Sequence, residues 1–482
     1  MSYDLYLKLL MVEVKPHLDD SLFPQKLQGD KEENIDTAIV MKEAKFDLHE
    51  LFFSITKHDS TIIFGNETFL RISGYEKEEI IGKFHNIIRH EDMPRVVFKK
   101  LWEYIESNKP VVAYVKNKTK EGGYYWVLAV VFPLNSQYIS IRIKPNTQFF
   151  SIVKEVYLEL LAAEKELNMD ESENLLVQLL KNLGFSDYDH FMNEVLLAEL
   201  LERKKLLSSS EVKEDTYNNS ETTFKSLYDD SKILLQEYGK WFARIESFKE
   251  IKSIFEEKGV ILREQARDIV LLSLNASIAS YKLDRGGETF GVLSSDIRKN
   301  AKENEELIEK VHLITQNLSE SLSEIMFSVS YISLQMETVT HFIKELLENT
   351  DEEINSNVET LYKLVSEYHE KVMKLPSVID KKIKNTISYL EELELQFMYF
   401  GYIQVYGVIE SARLDDDRLG FFGIFSQLKS MITKTSDEIF IMKNVAENFY
   451  VENKNLINES KKDDLFLDKF GNNIEKIKKS DK

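Results

Sequence analysis

Six of the seven prolines of this 482-residue chain (Pro16, Pro24, Pro94, Pro110, Pro133 and Pro145) lie in its first 145 residues. The remaining 337 residues (482 − 145) contain only Pro376. Proline removes a backbone donor and clashes with the preceding helical turn, so its absence permits very long helices. The distribution predicts an α+β chain. A compact domain with an antiparallel sheet and short helices comes first, and a long antiparallel helical bundle or coiled coil follows.

Apolar periodicity in the second part agrees. Val311, Leu318, Ile325, Ile332, Val339 and Leu346 recur every seven residues, with Leu322, Val329, Met336 and Ile343 as a second row beside them. Two adjacent rows form the broad seam that a helix inside a four-helix bundle needs. An internal repeat accompanies the periodicity. Ile278-Ala279-Ser280-Tyr281-Lys282-Leu283-Asp284, a turn and Phe290-Gly291-Val292-Leu293-Ser294 are echoed by Ile409-Glu410-Ser411-Ala412-Arg413-Leu414-Asp415, a turn and Phe421-Phe422-Gly423-Ile424-Phe425-Ser426. The offset is 131 residues before the turn (Ile278 to Ile409) and 131 to 132 after it. Repeats of this kind mark duplicated structural units. Segments 290–350 and 355–414 are each about 60 residues, or ~90 Å at the helical rise of ~1.5 Å per residue. Equal lengths place both turns (284–289 and 415–420) at one tip, with Asn349-Thr350-Asp351-Glu352 turning at the far end. Two hairpins in one chain then form an intrachain pseudo-dimer, with a plain coiled-coil rod or a homodimer as the other expectations. Pro376 is expected to mark a kink or register break in the third helix.

In the first part, Phe52–Thr56 and Thr61–Asn66 are short β-rich runs split by the turn Lys57-His58-Asp59-Ser60. Phe69–Tyr75 is expected to be a helix ended by Gly74. Asn108 to Ile143 holds three further strands, two of them joined by the hairpin turn Lys120-Glu121-Gly122-Gly123. Several motifs then follow in order: Phe84-His85-Asn86-Ile87-Ile88-Arg89-His90-Glu91-Asp92-Met93-Pro94, Leu101-Trp102, Val115-Lys116-Asn117, Tyr125-Trp126-Val127 and Ser140-Ile141-Arg142. Over residues 48–145 this arrangement resembles the PAS sensor domain of bacterial aerotaxis receptors, which holds a flavin. The resemblance implies that Arg89, His90, Asp92 and Trp102 hold or read an FAD, with Asn66 on the strand side. Lys99-Lys100, Ala113 and Gly123-Tyr124 depart from the family pattern.

The chemistry of these residue types suits such a ligand. A flavin needs an apolar slot, an aromatic neighbour and a few donors. Arg89 offers a fork to phosphate, Trp102 can stack, and Asn66 or Asn86 can register a protonation change by reversing a hydrogen bond. Structural roles stand beside these: Asp92 is a good helix N-cap before Pro94, and Arg89 and His90 can tie the loop to the sheet. Haem with His85 or His90 as ligand, and an empty pocket, are the alternative expectations.

Leu272-Ser273-Leu274-Asn275-Ala276-Ser277-Ile278, followed after the turn by Phe290-Gly291-Val292-Leu293-Ser294-Ser295-Asp296-Ile297-Arg298, is similar to the hairpin tip of methyl-accepting chemotaxis proteins. That resemblance implies a signalling tip at Asn275, Asp284, Phe290, Arg298, Glu410, Arg413, Asp415 and Phe421. It also implies the chemotaxis kinase, its coupling protein or a chemoreceptor array as partner. Ala279, Lys282 and Asp284-Arg285 replace the family's polar residues at this tip, which argues against ordinary kinase control. The second copy keeps Glu410 and Arg413.

Composition narrows the classes further. A net charge of −20 repels phosphate backbones, so no nucleic-acid partner is expected. The absence of cysteine excludes disulfides, iron–sulfur clusters and thiolate zinc sites. No signal peptide or transmembrane stretch is visible, which predicts a cytoplasmic protein without membrane insertion. Nine scattered histidines and the lack of a P-loop, nucleophile elbow or kinase signature predict no enzymatic activity and no metal site. The expected organisation is an acidic arm (1–44, with a short helix near Tyr3–Val14), a PAS domain (45–148), a helical connector (149–207), hairpin one (208–350), hairpin two (351–460) and a charged tail (461–482). The expected function is a redox or energy sensor of the aerotaxis type signalling through the bundle, with a non-catalytic scaffold or a haem gas sensor as the alternatives.

Overall fold

A computed structural model describes residues 42–208, 222–282, 287–348, 355–413 and 418–480. Most of the acidic arm, the far turn at 349–352 and the tip residues Asp284 and Asp415 lie outside the described residues. The chain divides into two compact units, residues 1–228 with 334–364 and residues 229–333 with 365–482.

The first unit is built on a five-stranded antiparallel sheet of β1 (Phe52–Lys57), β2 (Ile62–Gly65), β3 (Val111–Lys118), β4 (Tyr124–Leu134) and β5 (Gln137–Ile143), ordered β2-β1-β5-β4-β3. The expected strands and turns are all present. Gly74 ends α1 (Glu67–Ser73) at φ 75°, where its N–H reaches the Leu70 carbonyl; a side chain at that φ would strain the cap. The sheet begins earlier than the sequence suggested, because Lys42 and Ala44 exchange backbone hydrogen bonds with Tyr124.

Strand alternation sorts side chains to two covered faces. Ser140 and Arg142 point inward with Thr56, Val115, Asn117 and Val131. On the outer face, Tyr114 meets Phe150 of α4 (Gln148–Ala163), with ring centroids 5.6 Å apart. α2 (Lys77–Ile80), a 3₁₀ turn (His85–Ile88) and α3 (Arg95–Glu106) lie between β2 and β3. Asp92, expected to cap α3, does not: Pro94 holds the N-cap position and no side chain caps it from there. Asp92 pairs with Lys116 at 2.5 Å instead of capping. The free amides of Arg95 and Val96 are taken by the Glu164 carboxylate at 2.8 and 2.9 Å, from just beyond α4.

The connector is three helices, α4, α5 (Met169–Asn182) and α6 (Tyr188–Ser208). Asn168 and Glu171 close a capping box on α5. Glu199 of α6 is fully buried. Its carboxylate accepts from the Tyr114 hydroxyl (2.7 Å), the amides of Asn146 (2.7 Å) and Thr147 (3.2 Å), and the Thr147 hydroxyl (2.8 Å).

Five long helices follow: α7 (Thr222–Ala243), α8 (Ile245–Ser280), α9 (Gly287–Glu348), α10 (Asn355–Ser411) and α11 (Arg418–Ser480). α11 runs on through most of the segment expected to be a charged tail. α10 continues as one helix through Pro376, whose carbonyl accepts from Asn453 Nδ2 at 2.8 Å. Within the second unit, Arg263 of α8 pairs with Glu309 of α9 (3.2 Å), and Lys443 of α11 with Glu394 of α10 (2.9 Å). Lys382 of α10 donates to the Asn317 carbonyl of α9 (2.8 Å), and Phe248 of α8 packs on Phe449 of α11 (5.8 Å).

The 131-residue repeat extends well beyond the tip. Phe290, Ile297, Asn304, Val311, Leu318, Ile325 and Ile332 of α9 are buried, and so are their counterparts Phe421, Leu428, Thr435, Met442, Phe449, Leu456 and Asp463 of α11. Phe290 and Phe421 stack on each other with centroids 4.2 Å apart, so repeat-related side chains meet as they would across a two-fold axis. Gly407 admits the same cluster, because a Cβ there would stand 2.1 Å from the Phe425 ring.

Asp463 occupies the core seat that Ile332 fills in the first copy. Trp241 Nε1 donates to it at 2.8 Å. Burial, with a smaller contribution from Glu237, pushes its carboxyl from 3.8 up to about 6, although Trp241 and Lys240 act the other way. A carboxyl whose pKa is higher folded than unfolded contributes stability at low pH that is lost as pH rises between those two values. Asp463→Asn is therefore expected to remove this loss. Urea midpoints of the two proteins should coincide near pH 4 and separate above about pH 6 in favour of the variant, while equal midpoints throughout would contradict the assignment.

Candidate functional site

The inner face of the sheet and the segment from Ser60 to Ile105 enclose a cavity of about 140 Å³. Phe98, Leu101, Trp102 and Ile105 of α3 supply one wall, and Val115, Ala129 and Val131 another. Thr56, Ser60, Asn117, Tyr138 and Ser140 supply polar atoms. Two guanidinium groups, Arg89 and Arg142, line it, and no carboxylate does. In a chain of net charge −20 that exclusion is specific to the place.

Arg142 is 1% exposed. It donates to the Ser140 carbonyl (3.2 Å), Ser54 Oγ (2.9 Å) and His85 Nε2 (2.6 Å), all neutral acceptors. Its Nε–H and one Nη1–H have no hydrogen-bond partner among the described residues. Phe69 and Phe52 present ring faces 5.1 and 6.0 Å from the guanidinium carbon. Such contacts offset about 1–2 kcal/mol, against a burial cost of several kcal/mol for an uncompensated charge. Burial lowers the Arg142 pKa to about 10, so it remains a cation. An arginine can only donate, so His85 Nε2 carries its lone pair and the proton sits on Nδ1. Burial, then the adjacent guanidinium, hold that imidazole neutral, with its pKa pushed down to about 3.

Among the residues expected at a cofactor, Asn86, Arg89 and Trp102 line the cavity. Arg89 lies over the Phe98 ring at 3.9 Å and bridges Asn117 through its backbone, so it ties the loop to the sheet as well. His90 and Asp92 lie outside the lining. His90 Nδ1 accepts from the Asp92 amide at 3.1 Å, and its backbone N–H reaches the Lys116 carbonyl.

Asn66 lies outside the lining as well. Its Oδ1 accepts from the Phe53 amide (2.9 Å), and its Nδ2 donates to Glu345 of α9 (2.9 Å). Thr68 donates to the same carboxylate at 2.9 Å, Phe342 packs between Phe53 (5.1 Å) and Phe64 (5.5 Å), and Arg203 binds Glu337 at 2.6 Å. Sequence reasoning placed Arg142 only within a resemblance and gave no role to Phe98 or Tyr138. Arg142 was recoverable from alternation, since it sits two residues past Ser140 on one face of an otherwise apolar strand.

At the tip of the second unit, Phe290 and Phe421 are core residues, whereas Asn275 and Arg298 are exposed. Glu410, in the last turn of α10, pairs at 2.8 Å with Arg413, which lies just beyond the helix end. The same positions of both copies expose apolar side chains: Leu271 and Tyr402, Leu274 and Val405, Ile278 and Ile409. Met398, Tyr399 and Tyr406 lengthen the second stripe. Contiguous exposed apolar surface of this extent marks interaction sites. Among the described residues there is no cluster of metal-ligating side chains and no helix long and apolar enough to cross a membrane.

The PAS fold family matches residues 62–142. The aerotaxis receptor of Escherichia coli (strain K12) is 36% identical over 109 residues, covering 22% of each chain. Phototropin-1A of Oryza sativa subsp. japonica is 28% identical over 92 residues, 19% of this chain and 9% of that protein. The blue-light-activated histidine kinase of Brucella anthropi is 22% identical over 233 residues, 47% of this chain and 46% of that protein. Among solved structures, the LOV domain of the Erythrobacter litoralis EL346 blue-light activated histidine kinase is 18% identical with a TM-score of 0.19, covering 19% of this chain and 94% of that domain. This chain therefore spans about a fifth of the aerotaxis receptor and about half of the Brucella kinase. Its sheet domain is of the PAS/LOV type and resembles the N-terminal part of the aerotaxis receptor.

Proposed function

We propose that this chain is a cytoplasmic, non-catalytic signal-transduction sensor whose PAS domain binds a flavin nucleotide, FAD by the aerotaxis resemblance, and reports redox or energy state to the long helices. The observation that carries this is the lining itself: an apolar, aromatic-walled slot with two arginines and no carboxylate suits a flat ring bearing phosphate or an ionisable edge. A void of about 140 Å³ is close to those that take one benzene ring, so a three-ring flavin requires a wall to move. The His85–Ile88 turn, which is partly exposed, is the wall assigned that movement. A covalent sulfur–flavin adduct, one way a flavin can register light, needs a thiol, and this chain has no cysteine. Redox sensing is thereby favoured over adduct photochemistry. The haem alternative loses support because His85 Nε2 is engaged by Arg142 and His90 lies outside the cavity.

The output leaves through α9. A change in the cavity moves β1 and the start of α1, where Asn66, Thr68 and Phe53 hold Glu345 and Phe342. A small differential energy suffices if the helices have two close-lying packings. The duplicated hairpins act as a pseudo-dimer, and the doubled apolar stripe at their tip docks the partner, a chemotaxis kinase, its coupling protein or a receptor array. No nucleic acid or membrane insertion is involved. The exposed stripe also favours a second reading, a scaffold with an empty PAS pocket.

The deciding experiment records the visible spectrum of the purified protein before and after dithionite, with amide exchange of 334–348 in each state. Flavin bands that bleach, with altered exchange in that segment, support the sensor. A protein that stays colourless after refolding with FAD sinks it in favour of the scaffold, and a Soret band would restore haem.

A further inference from the structure

We infer that Asn304 of α9 and Thr435 of α11 form a hydrated polar layer across the core of the second unit, and that the tip beyond this layer opens as a unit of its own. The inference does not depend on what fills the cavity of the PAS domain.

Both side chains are core residues, 2% and 0% exposed, at equivalent positions of the 131-residue repeat. Asn304 Nδ2 and Oδ1 and Thr435 Oγ1 have no hydrogen-bond partner among the described residues. Other polar residues of this bundle bond their own helix. Asn300 Nδ2 donates to the Asp296 carbonyl at 2.8 Å, Thr315 Oγ1 to the Val311 carbonyl at 2.9 Å and Thr386 Oγ1 to the Lys382 carbonyl at 2.9 Å. Asn304 and Thr435 leave that option unused, so their polar atoms remain open in the interior. Gln396 Oε1 of α10 is also buried without a partner, and its repeat counterpart on α8, Gln265, is 7% exposed. The ion pairs Arg263–Glu309 and Lys443–Glu394 fix which levels of the helices face each other, and they place both glutamines within about two turns of the layer. An unmade hydrogen bond in a dry core is costly, and a water with about two to four polar partners removes that cost. The open atoms of Asn304 and Thr435 supply such a set.

The layer interrupts an apolar stack. Phe290 and Phe421, then Ile297 and Leu428, lie on its tip side; Val311 and Met442, Leu318 and Phe449, then Ile325 and Leu456 lie on the other. It stands about 21 Å from the Phe290–Phe421 contact, at ~1.5 Å per residue. Two apolar layers form a small core for four helix ends, and the polar layer separates them from the longer stack, so the tip opens at lower free energy than the rest. The exposed apolar stripe of Leu271 to Ile278 and Tyr402 to Ile409 begins near the level of the layer and runs toward the tip. Opening there rearranges the docking surface and leaves the remainder of the bundle folded.

The test measures amide-exchange protection in the full chain, wild type against the double variant Asn304→Leu with Thr435→Val, which makes the layer apolar at nearly constant volume. In the wild type, protection at 287–303 and 418–434 is expected to lie about tenfold or more below that at 305–320 and 436–451, with the step at Asn304 and Thr435. Protection that is equal on both sides, or that declines evenly toward the tip, overturns the inference. The double variant is expected to raise protection of the tip segments about tenfold, with a smaller gain at 305–320, because no polar atom is left to solvate. A gain at the tip of less than about threefold, or a loss, overturns the inference by the same reasoning. Should the double variant fail to fold, Thr435→Val alone, which exchanges one hydroxyl for a methyl, is held to the same threefold criterion.

Discussion

Glu199→Ala is expected to destabilise the PAS-containing unit by about 3–5 kcal/mol, and Glu199→Gln by about 1–2 kcal/mol. The carboxylate is fully buried and satisfies four donors: the Tyr114 and Thr147 hydroxyls and the Asn146 and Thr147 amides. Alanine strands all four in a dry site, and each unmade hydrogen bond costs about 1–3 kcal/mol before relaxation. Glutamine keeps the shape and one acceptor oxygen, so part of the set survives. Urea denaturation followed by near-ultraviolet circular dichroism gives both values, and a Glu199→Ala loss below about 1 kcal/mol would show that water replaces the carboxylate. Glu199 joins β3, the end of β5 and α6 at one point. Its loss is therefore expected to loosen the connector from the sheet as well as to lower the midpoint.

What the sequence disclosed follows from the range of the interactions involved. Strands β1 to β5, the Gly74 cap and the turn before Tyr124 are set by alternation and local backbone preference, and these are written in neighbouring residues. The seven-residue rows of α9 were legible for the same reason. Glu164 was not, because it caps a helix 69 residues upstream, and a cap from outside leaves no spacing signature. Asn66 is the most instructive case. Resemblance put it near a cofactor, yet its carboxamide faces Glu345, 279 residues away. Nothing in the segment around Asn66 encodes which helix will cover the outer side of β1. The cavity was half legible: Arg89 and Trp102 fall within a recognisable motif. The charge that matters most, Arg142, is defined by what is missing around it, and a missing carboxylate is visible only in three dimensions.

Phe290→Ala and Phe421→Ala are expected to cost the second unit nearly equal amounts, about 3–5 kcal/mol each. Both rings are buried, at 2% and 0% exposure, and they stack at 4.2 Å. Equality is the informative part. Two residues 131 positions apart in one chain have no reason to matter alike unless the hairpins pack about a shared pseudo-two-fold axis. Each truncation removes one half of the same contact, so the double variant should cost less than the sum by about 0.5–1.5 kcal/mol. Phe425 breaks the symmetry, since it also touches Phe290 at 6.4 Å while its counterpart, Ser294, has no ring to offer Phe421. Phe290→Ala is therefore expected to be the slightly costlier of the two. Because the site lies near the ends of four helices, the loss can appear as fraying of the tip before global unfolding. Amide exchange at 276–282 and 408–413 measures that directly. Fraying of both segments in either variant is the signature of one shared tip, whereas fraying confined to the hairpin that carries the substitution would mean two hairpins that merely lie side by side.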